Sequence, residues 1–393
     1  MSDRTDPELF RLTARDFLAE AVASMPEAPE ASDLSARRRY DQLWQAAMFK
    51  GGYAGLSWPT QYGGRGASAT EELIFLEECE RARAPDIGVH FPGQLFVGPT
   101  IIAEGTHDQK ARYLEPILRG EECWCQGFSE PNAGSDLAAL RTRAVRDGDE
   151  YVITGQKIWT SYCAVADFCE LLVRTNPRAP KHMGITCLIV PMDTPGIEVR
   201  PLRTIVGYSE FGEVFFDGAR VPTSNRLGAE DDGWRVARVT LGFERGTAFT
   251  RGLLQLMRGV GDLKVVAQDP SQPAERSWDN QAVRHDLGGL AADLDSLLAL
   301  LRSNVARFDR DGSLGPEASV FKLAYSEASQ RLGDLAIRLV GPAAFAAEAV
   351  GGVALERTRD ALQSLSLTIA GGTSQIQRDI IAEACLGLPR DRR

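Results

Sequence analysis

The hydrophobic period of this chain changes twice, and those two changes constrain its fold more than any other feature. Up to about residue 120 apolar side chains recur at helical spacing, as in Phe10, Ala14, Phe17, Leu18 and Ala21, and again in Leu73, Leu76 and Cys79 of the segment Glu71–Arg83. A Gly-rich turn, Gln61–Gly66, separates two of these helices. Near 122 the pattern shortens to β-branched and aromatic runs: Arg143–Val145, Tyr151–Ile153, Phe168–Val173, Ile185–Val190, Ile197–Pro201 and Glu213–Phe216. Turns such as Asp147-Gly148-Asp149 and Thr194-Pro195-Gly196 divide them. From Gly233 the helical period returns and persists to about Leu386, in long runs over 234–266, 279–308, 317–340 and 355–370. The β segments have no helices between them, which disfavours a parallel nucleotide-binding sheet. The expected architecture is α+β: an N-terminal α-helical domain over 1–121, a central antiparallel β domain over 122–228, and a C-terminal four-helix bundle over 229–393. The polar, Pro-containing stretch Gln268–Arg276 reads as a loop within the last of these.

Composition narrows the function by exclusion. The formal net charge of −10 over 393 residues makes nucleic acid an unlikely partner, because phosphate binding needs a basic face. No stretch approaches the apolar length of a membrane span, and the start Met1–Asp6 lacks a signal-peptide core, so cytoplasm is the default location. Seven scattered cysteines do not read as a disulfide framework. Cys123-Trp124-Cys125 lacks a second Cys or His pair at zinc spacing, so no metal is expected. No nucleophile elbow, P-loop or dinucleotide glycine fingerprint is present, and Gly259-Val260-Gly261 lacks the third glycine.

Three motifs carry the chemistry. They are Gln126-Gly127-Phe128-Ser129-Glu130-Pro131-Asn132-Ala133-Gly134-Ser135-Asp136, then Gly155-Gln156-Lys157-Ile158-Trp159-Thr160-Ser161, then Gly372-Thr373-Ser374-Gln375-Ile376-Gln377-Arg378. In this order, on an α–β–α chain, they resemble the acyl-CoA dehydrogenases over almost the whole length. The resemblance implies FAD as cofactor and an acyl-CoA thioester as substrate. It places the Ser129 hydroxyl and the amides around Phe128 at the pyrimidine edge of the flavin, where fixed donors raise electron affinity, and makes Gln126 a further cofactor-binding residue. It places Trp159 along the isoalloxazine face and Ser161 toward N5. Gly341, Thr373 and Gln375 are further cofactor positions, and Ser135 contacts the CoA part of the substrate. Glu130 is expected to brace its loop rather than to react.

The reaction needs a base for the proton α to the thioester, and a carboxylate in a dry site is a better base at neutral pH. In many relatives that base is a Glu immediately before the Gly-Thr of the C-terminal motif. Here the position is Gly371, preceded by Ala370. In the isovaleryl-CoA and long-chain branches the Glu comes from the first helix of the C-terminal domain, in a Glu-Arg pair that Glu244-Arg245 matches. Glu244 is therefore the candidate base and Arg245 a candidate substrate-binding residue.

The chain also departs from the family. The Arg-x-x-Phe-Gly segment that reaches the neighbouring subunit's FAD is absent from Ala267–His285, where Arg276 and Arg284 stand out of register. The Gln-x-x-Gly-Gly turn is altered to Arg338-Leu339-Val340-Gly341-Pro342. These changes resemble actinobacterial relatives in which two related subunits share each flavin. Expected partners are an electron-transfer flavoprotein and a homo- or hetero-tetramer. The competing expectations are a non-catalytic subunit that completes another chain's flavin site, and an oxidase on the same scaffold.

Overall fold

A computed structural model of the chain describes residues 6–244, 249–311, 315–346 and 352–390. It divides into two compact units, residues 1–68 with 81–244, and residues 69–80 with 245–393.

In the first unit, helices α1 (Pro7–Ala23) and α2 (Leu34–Lys50) start on aspartate caps. Asp6 accepts from the Glu8 amide and Asp33 from the Ala36 amide. The apolar stripe of α1 is buried at Phe10, Ala14, Leu18 and Ala21. The Gln61–Gly66 turn appears as a short 3-10 turn with Gly63 and Gly66 at positive φ. Before α4 (Gly98–Glu104) the chain makes one wide π-helical turn over Pro92–Val97. Helix α5 (His107–Arg119) opens with a full Thr106/Gln109 capping box.

The sheet holds eight strands: β1 (Trp124–Gly127), β2 (Arg143–Asp147), β3 (Glu150–Ser161), β4 (Phe168–Arg174), β5 (Ile185–Pro191), β6 (Ile197–Leu202), β7 (Phe211–Pro222) and β8 (Arg226–Leu227). Its order is β6-β7-β3-β2-β4-β5-β8, with β1 added alongside β4. Most ladders are antiparallel, but β1 runs parallel to β4. Six strands match the β-like runs of the sequence. The two unforeseen ones, β1 and β8, are short and carry no alternation. Strand β3 extends far beyond Tyr151–Ile153, because its polar second half still finds a ladder partner in β7. A core of Tyr151, Ile153, Leu171, Leu188, Val190 and Phe216, among others, fills the sheet's packed side. Helix α6 (Gly233–Glu244) belongs to this unit.

The second unit is built on four long helices: α7 (Thr250–Ala267), α8 (Gln281–Asp311), α9 (Glu317–Val340) and α10 (Gly352–Leu367). Leucines 287, 290, 294, 297 and 301 of α8 recur every three or four residues and are all buried. The single run over 234–266 is described as two helices, α6 and α7, which fall in different units. Helix α3 (Ala69–Arg81) docks its first turns here. Asp309 of α8 accepts from the amides of Ala69 and Thr70 at 2.7 and 3.1 Å and from the Thr70 hydroxyl at 2.6 Å, so a distant carboxylate caps α3. Among the described residues no helix is long and apolar enough to cross a membrane.

Helices α9 and α10 approach closely at Gly333, where an added Cβ would lie 2.7 Å from the Ala361 Cα. Gly333→Val must push the two backbones apart. The expected destabilisation is about 1–3 kcal/mol in chemical denaturation, while Gly288→Ala on the open face of α8, where nothing lies within 4 Å, leaves stability unchanged or raises it.

Candidate active site

The first two motifs meet in the first unit because β3 slips. Its ladder with β7 shifts once between Ile153 and Thr154, runs on to Lys157, breaks there, and resumes at Thr160 and Ser161 opposite Gly212 and Phe211. In the slip the Ile158 amide donates to the Ser129 carbonyl at 3.0 Å, which fastens the Gln126–Asp136 loop to this strand. Trp159 follows with φ of +60°, a conformation that costs a large side chain about 1–3 kcal/mol and marks a constrained site. Its indole is 60% exposed and meets Phe211 edge-on at 6.2 Å. The Ser129 and Ser161 hydroxyls, both half-buried, bond to no described residue. An exposed flat indole beside two unengaged hydroxyls suits a planar ring edged with carbonyl acceptors, as a flavin is. Ser135 lies six residues beyond Ser129, on the exposed arm of the loop, next to Asp136, which holds Lys181 at 2.6 Å.

A buried ion pair sets the loop's shape. Lys157 is fully buried, and its Nζ donates to the Phe128 carbonyl at 3.0 Å and to Glu130 Oε1 at 2.9 Å. Glu130 also accepts from the amides of Arg141 and Thr142 at 2.7 and 2.8 Å. Burial pushes Lys157 down to about 8 against the pull of Glu130. Burial raises Glu130 too, but Lys157 and the backbone amides outweigh it and hold the carboxyl below the usual range. Both groups are thus charged at neutral pH. The bracing expected of Glu130 is its visible contact set. A depression of about 280 Å³ opens beside it, lined in part by Asn132, Arg141, Thr142 and Gln156.

Gln126 is positioned from behind. Its Nε2 donates at 2.9 Å to Glu170 Oε2, on a fully buried carboxyl of β4 whose Oε1 lies 2.8 Å from the Thr240 hydroxyl of α6. Burial raises Glu170 to about 7, and its hydrogen bonds to Gln126 and Thr240 only partly oppose that. Glu244 is the last residue of α6, one turn beyond Thr240. The Glu244 side chain and the whole of Arg245 lie outside the described residues.

The remaining positions lie in the second unit. Gly341 ends α9 with φ of +66°, and the Arg276 guanidinium sits directly against it while donating to the Val340 carbonyl at 3.1 Å. An added Cβ at 341 would fall 1.3 Å from Arg276 Nη1, so these two residues are built for each other. Arg284 donates to the Trp278 carbonyl at 2.6 Å. Thr373 caps helix α11 (Ser374–Ile380) by accepting from the Ile376 amide, and Gln375 is exposed on its first turn. Gly371 and Gly372 take φ of +63° and +88°. Carbonyls of this turn are held by Lys322 Nζ, 2.7 Å from the Gly372 oxygen, and by Gln377 Nε2, 2.8 Å from that of Gly371.

Sequence reasoning passed over Glu170, Lys322 and Gln377, and assigned no role to Lys157. One signal was available for Glu170: a single carboxylate inside the otherwise apolar run Phe168–Val173, buried from Cys169 to Val173. Lys322 and Gln377 had none, since helical lysines and glutamines are usually solvated.

Lys157→Met leaves the Glu130 charge buried and unpaired. It should cost about 3–5 kcal/mol in urea denaturation. Pairing it with Glu130→Gln should recover part of that loss, and strictly additive losses would refute the coupling.

Comparison with known proteins agrees along the whole chain. Three family models match in succession: acyl-CoA dehydrogenase N-terminal domain over residues 4–121, middle domain over 125–219, and C-terminal domain over 231–386. Acyl-CoA dehydrogenase IpdE1 of Mycobacterium tuberculosis is 38% identical, over 98% of this chain and 99% of its own. A chain of the ChsE4-ChsE5 complex from Mycobacterium tuberculosis superposes with a TM-score of 0.83 at 34% identity, covering 100% of both chains. One described as Tcur3481-Tcur3483 steroid ACAD does so with 0.83 at 30% identity, again over 100% of both. The protein belongs to the acyl-CoA dehydrogenase family.

Proposed function

We propose that the chain binds FAD and converts an acyl-CoA thioester to a trans-2-enoyl-CoA, with Glu244 as base. The observation that carries this reading is the patch where the Gln126–Ser129 loop joins the slipped β3 strand, with Trp159 held exposed in a strained backbone. Bound flavin would accept the hydride from the β-carbon at N5. Ser129 and Ser161 supply hydroxyl donors toward its carbonyl edge, and Trp159 covers ring surface and keeps water off it. Glu244 takes the α-proton. The backbone at Gly371 supports this choice of base. At φ of +63° an L side chain is strained, although a Cβ there would meet nothing closer than Phe249 and Lys322 at 3.7 and 3.8 Å. That turn therefore favours glycine by its backbone geometry, which supports a carboxylate supplied from another element. Arg245 would hold the base or the substrate by charge, and Ser135 and the loop around it would meet the CoA portion. Electrons would leave through an electron-transfer flavoprotein.

The likeness to the ChsE4-ChsE5 and Tcur3481-Tcur3483 chains supports a bulky, steroid-like acyl group and a heteromeric assembly. One observation favours a second reading, in which the chain completes a partner's flavin site without reacting. Arg276 and Arg284 stand where the family's FAD-reaching arginine is missing, and both guanidinium groups are already bonded to carbonyls of their own chain.

Anaerobic titration with straight, branched, aromatic and steroid CoA thioesters tests the first reading, which expects bleaching of the flavin by at least one class. Glu244→Gln should keep FAD bound and abolish that bleaching, and bleaching at the wild-type rate would reject Glu244 as the base. A protein that is colourless both alone and when expressed with a related subunit would favour the second reading.

A further inference from the structure

Among the described residues, Glu170 is the one carboxyl buried at the centre of the first unit without a cation beside it. Its described neighbours are the Gln126 amide at 2.9 Å from β1, the Thr240 hydroxyl at 2.8 Å from α6, and the Cys187 thiol at 3.9 Å from β5. Of these only the thiol titrates, and burial raises it well above its ordinary range, so it stays protonated.

Counting protons decides the carboxyl's state. Thr240 Oγ1 also lies 2.9 Å from Thr100 Oγ1, and Thr100 Oγ1 lies 2.8 Å from the Phe96 carbonyl in the wide turn before α4. Three short oxygen–oxygen contacts therefore join Glu170, Thr240, Thr100 and Phe96 in series, and each needs one proton. The two threonines supply only two. An ionised Glu170 would leave one buried contact with no proton and two lone pairs facing each other. A protonated Glu170 completes the series. Its Oε1–H donates to Thr240, Thr240 donates to Thr100, and Thr100 donates to Phe96. Oε2 remains free to accept from Gln126. The longer contact of Thr240 to the Val236 carbonyl, at 3.2 Å, is the one left over. The raised affinity for a proton that burial confers on Glu170 agrees with this count.

We propose that Glu170 works as a neutral carboxylic acid, a positioning residue that holds the Gln126 carboxamide at the flavin site and ties it to the helix ending in Glu244. The inference rests on the proposed function for what Gln126 and Glu244 do, but not for the state of Glu170. A neutral acid suits the place. It donates on one oxygen and accepts on the other, whereas a carboxylate accepts on both and would add a negative charge behind the edge where reduced flavin becomes anionic.

Glu170→Gln and Glu170→Leu test this by two independent readouts. Glutamine keeps the neutral acid's pattern of donating on one side and accepting on the other, with one extra N–H, in nearly the same shape. Because the folded acid holds its proton more tightly than the unfolded one, the stability of the wild type is full below about 4.5 and falls as pH rises through about 7. Its denaturation midpoint should therefore fall relative to Glu170→Gln across that window, with or without flavin. A difference that stays flat with pH would overturn the neutral-acid assignment. For positioning, Glu170→Gln should keep the wild-type flavin absorption band and single-turnover bleaching rate. Glu170→Leu should shift the band and slow bleaching by about tenfold or more with little change in KM. An equally slow Glu170→Gln, or a folded Glu170→Leu with unchanged band and rate, would overturn the positioning role. A wild type that never bleaches would instead count against the proposed function, and the pH-linked stability difference would still be readable.

Discussion

Everything at the candidate site depends on an ammonium group that has been taken out of water. Lys157 sits fully buried where β3 loses register with β7, and its proton donors reach the Phe128 carbonyl and the Glu130 carboxylate of the preceding motif. A buried charge is tolerated only with partners of this quality. Glu130 accepts in turn from two backbone amides, so both of its oxygens are engaged. The slip in the strand and the bend in the loop therefore specify each other. Beside the pair the Ile158 amide bonds the Ser129 carbonyl, and Trp159 stays exposed at a positive φ that an extended strand does not adopt.

The same unit uses a second, opposite device. Behind Gln126 the chain buries a carboxyl and gives it only neutral neighbours. At Glu130 burial is offset by a cation. At Glu170 only hydrogen bonds from neutral groups oppose it, and the group is raised toward neutral pH instead. The two carboxyls, one within the loop and one behind a loop residue, are thus shifted in opposite directions by their surroundings alone. The hydroxyl series through Thr240 and Thr100 makes β4, α6 and the turn at Phe96 one connected polar structure inside an apolar core, where each contact depends on the next.

The glycine at 371 has a physical counterpart in its backbone. That turn takes a left-handed backbone at two successive glycines, with its carbonyls held by Lys322 and Gln377. Such a turn presents carbonyls inward and disfavours a side chain at its first position. A carboxylate carried by a regular helix, as proposed for Glu244, needs no such backbone.

What the sequence determined by itself was the class of fold, six of the eight strands and the order of the three motifs. These rest on period and on local residue types, which act over a few residues. The division of 234–266 between two units, the docking of α3 on the bundle through Asp309, and the parallel pairing of β1 with β4 were not legible, because each depends on a partner far away in the chain. Lys157 could be read as part of a motif but not as buried. Glu170 could be seen as a charge in an apolar strand, but only the tertiary structure brought Gln126, Thr240 and Thr100 around it. The reason is physical: periodicity records which face of an element is apolar, whereas a proton's position depends on which oxygens are brought within 3 Å of one another, and packing alone decides that.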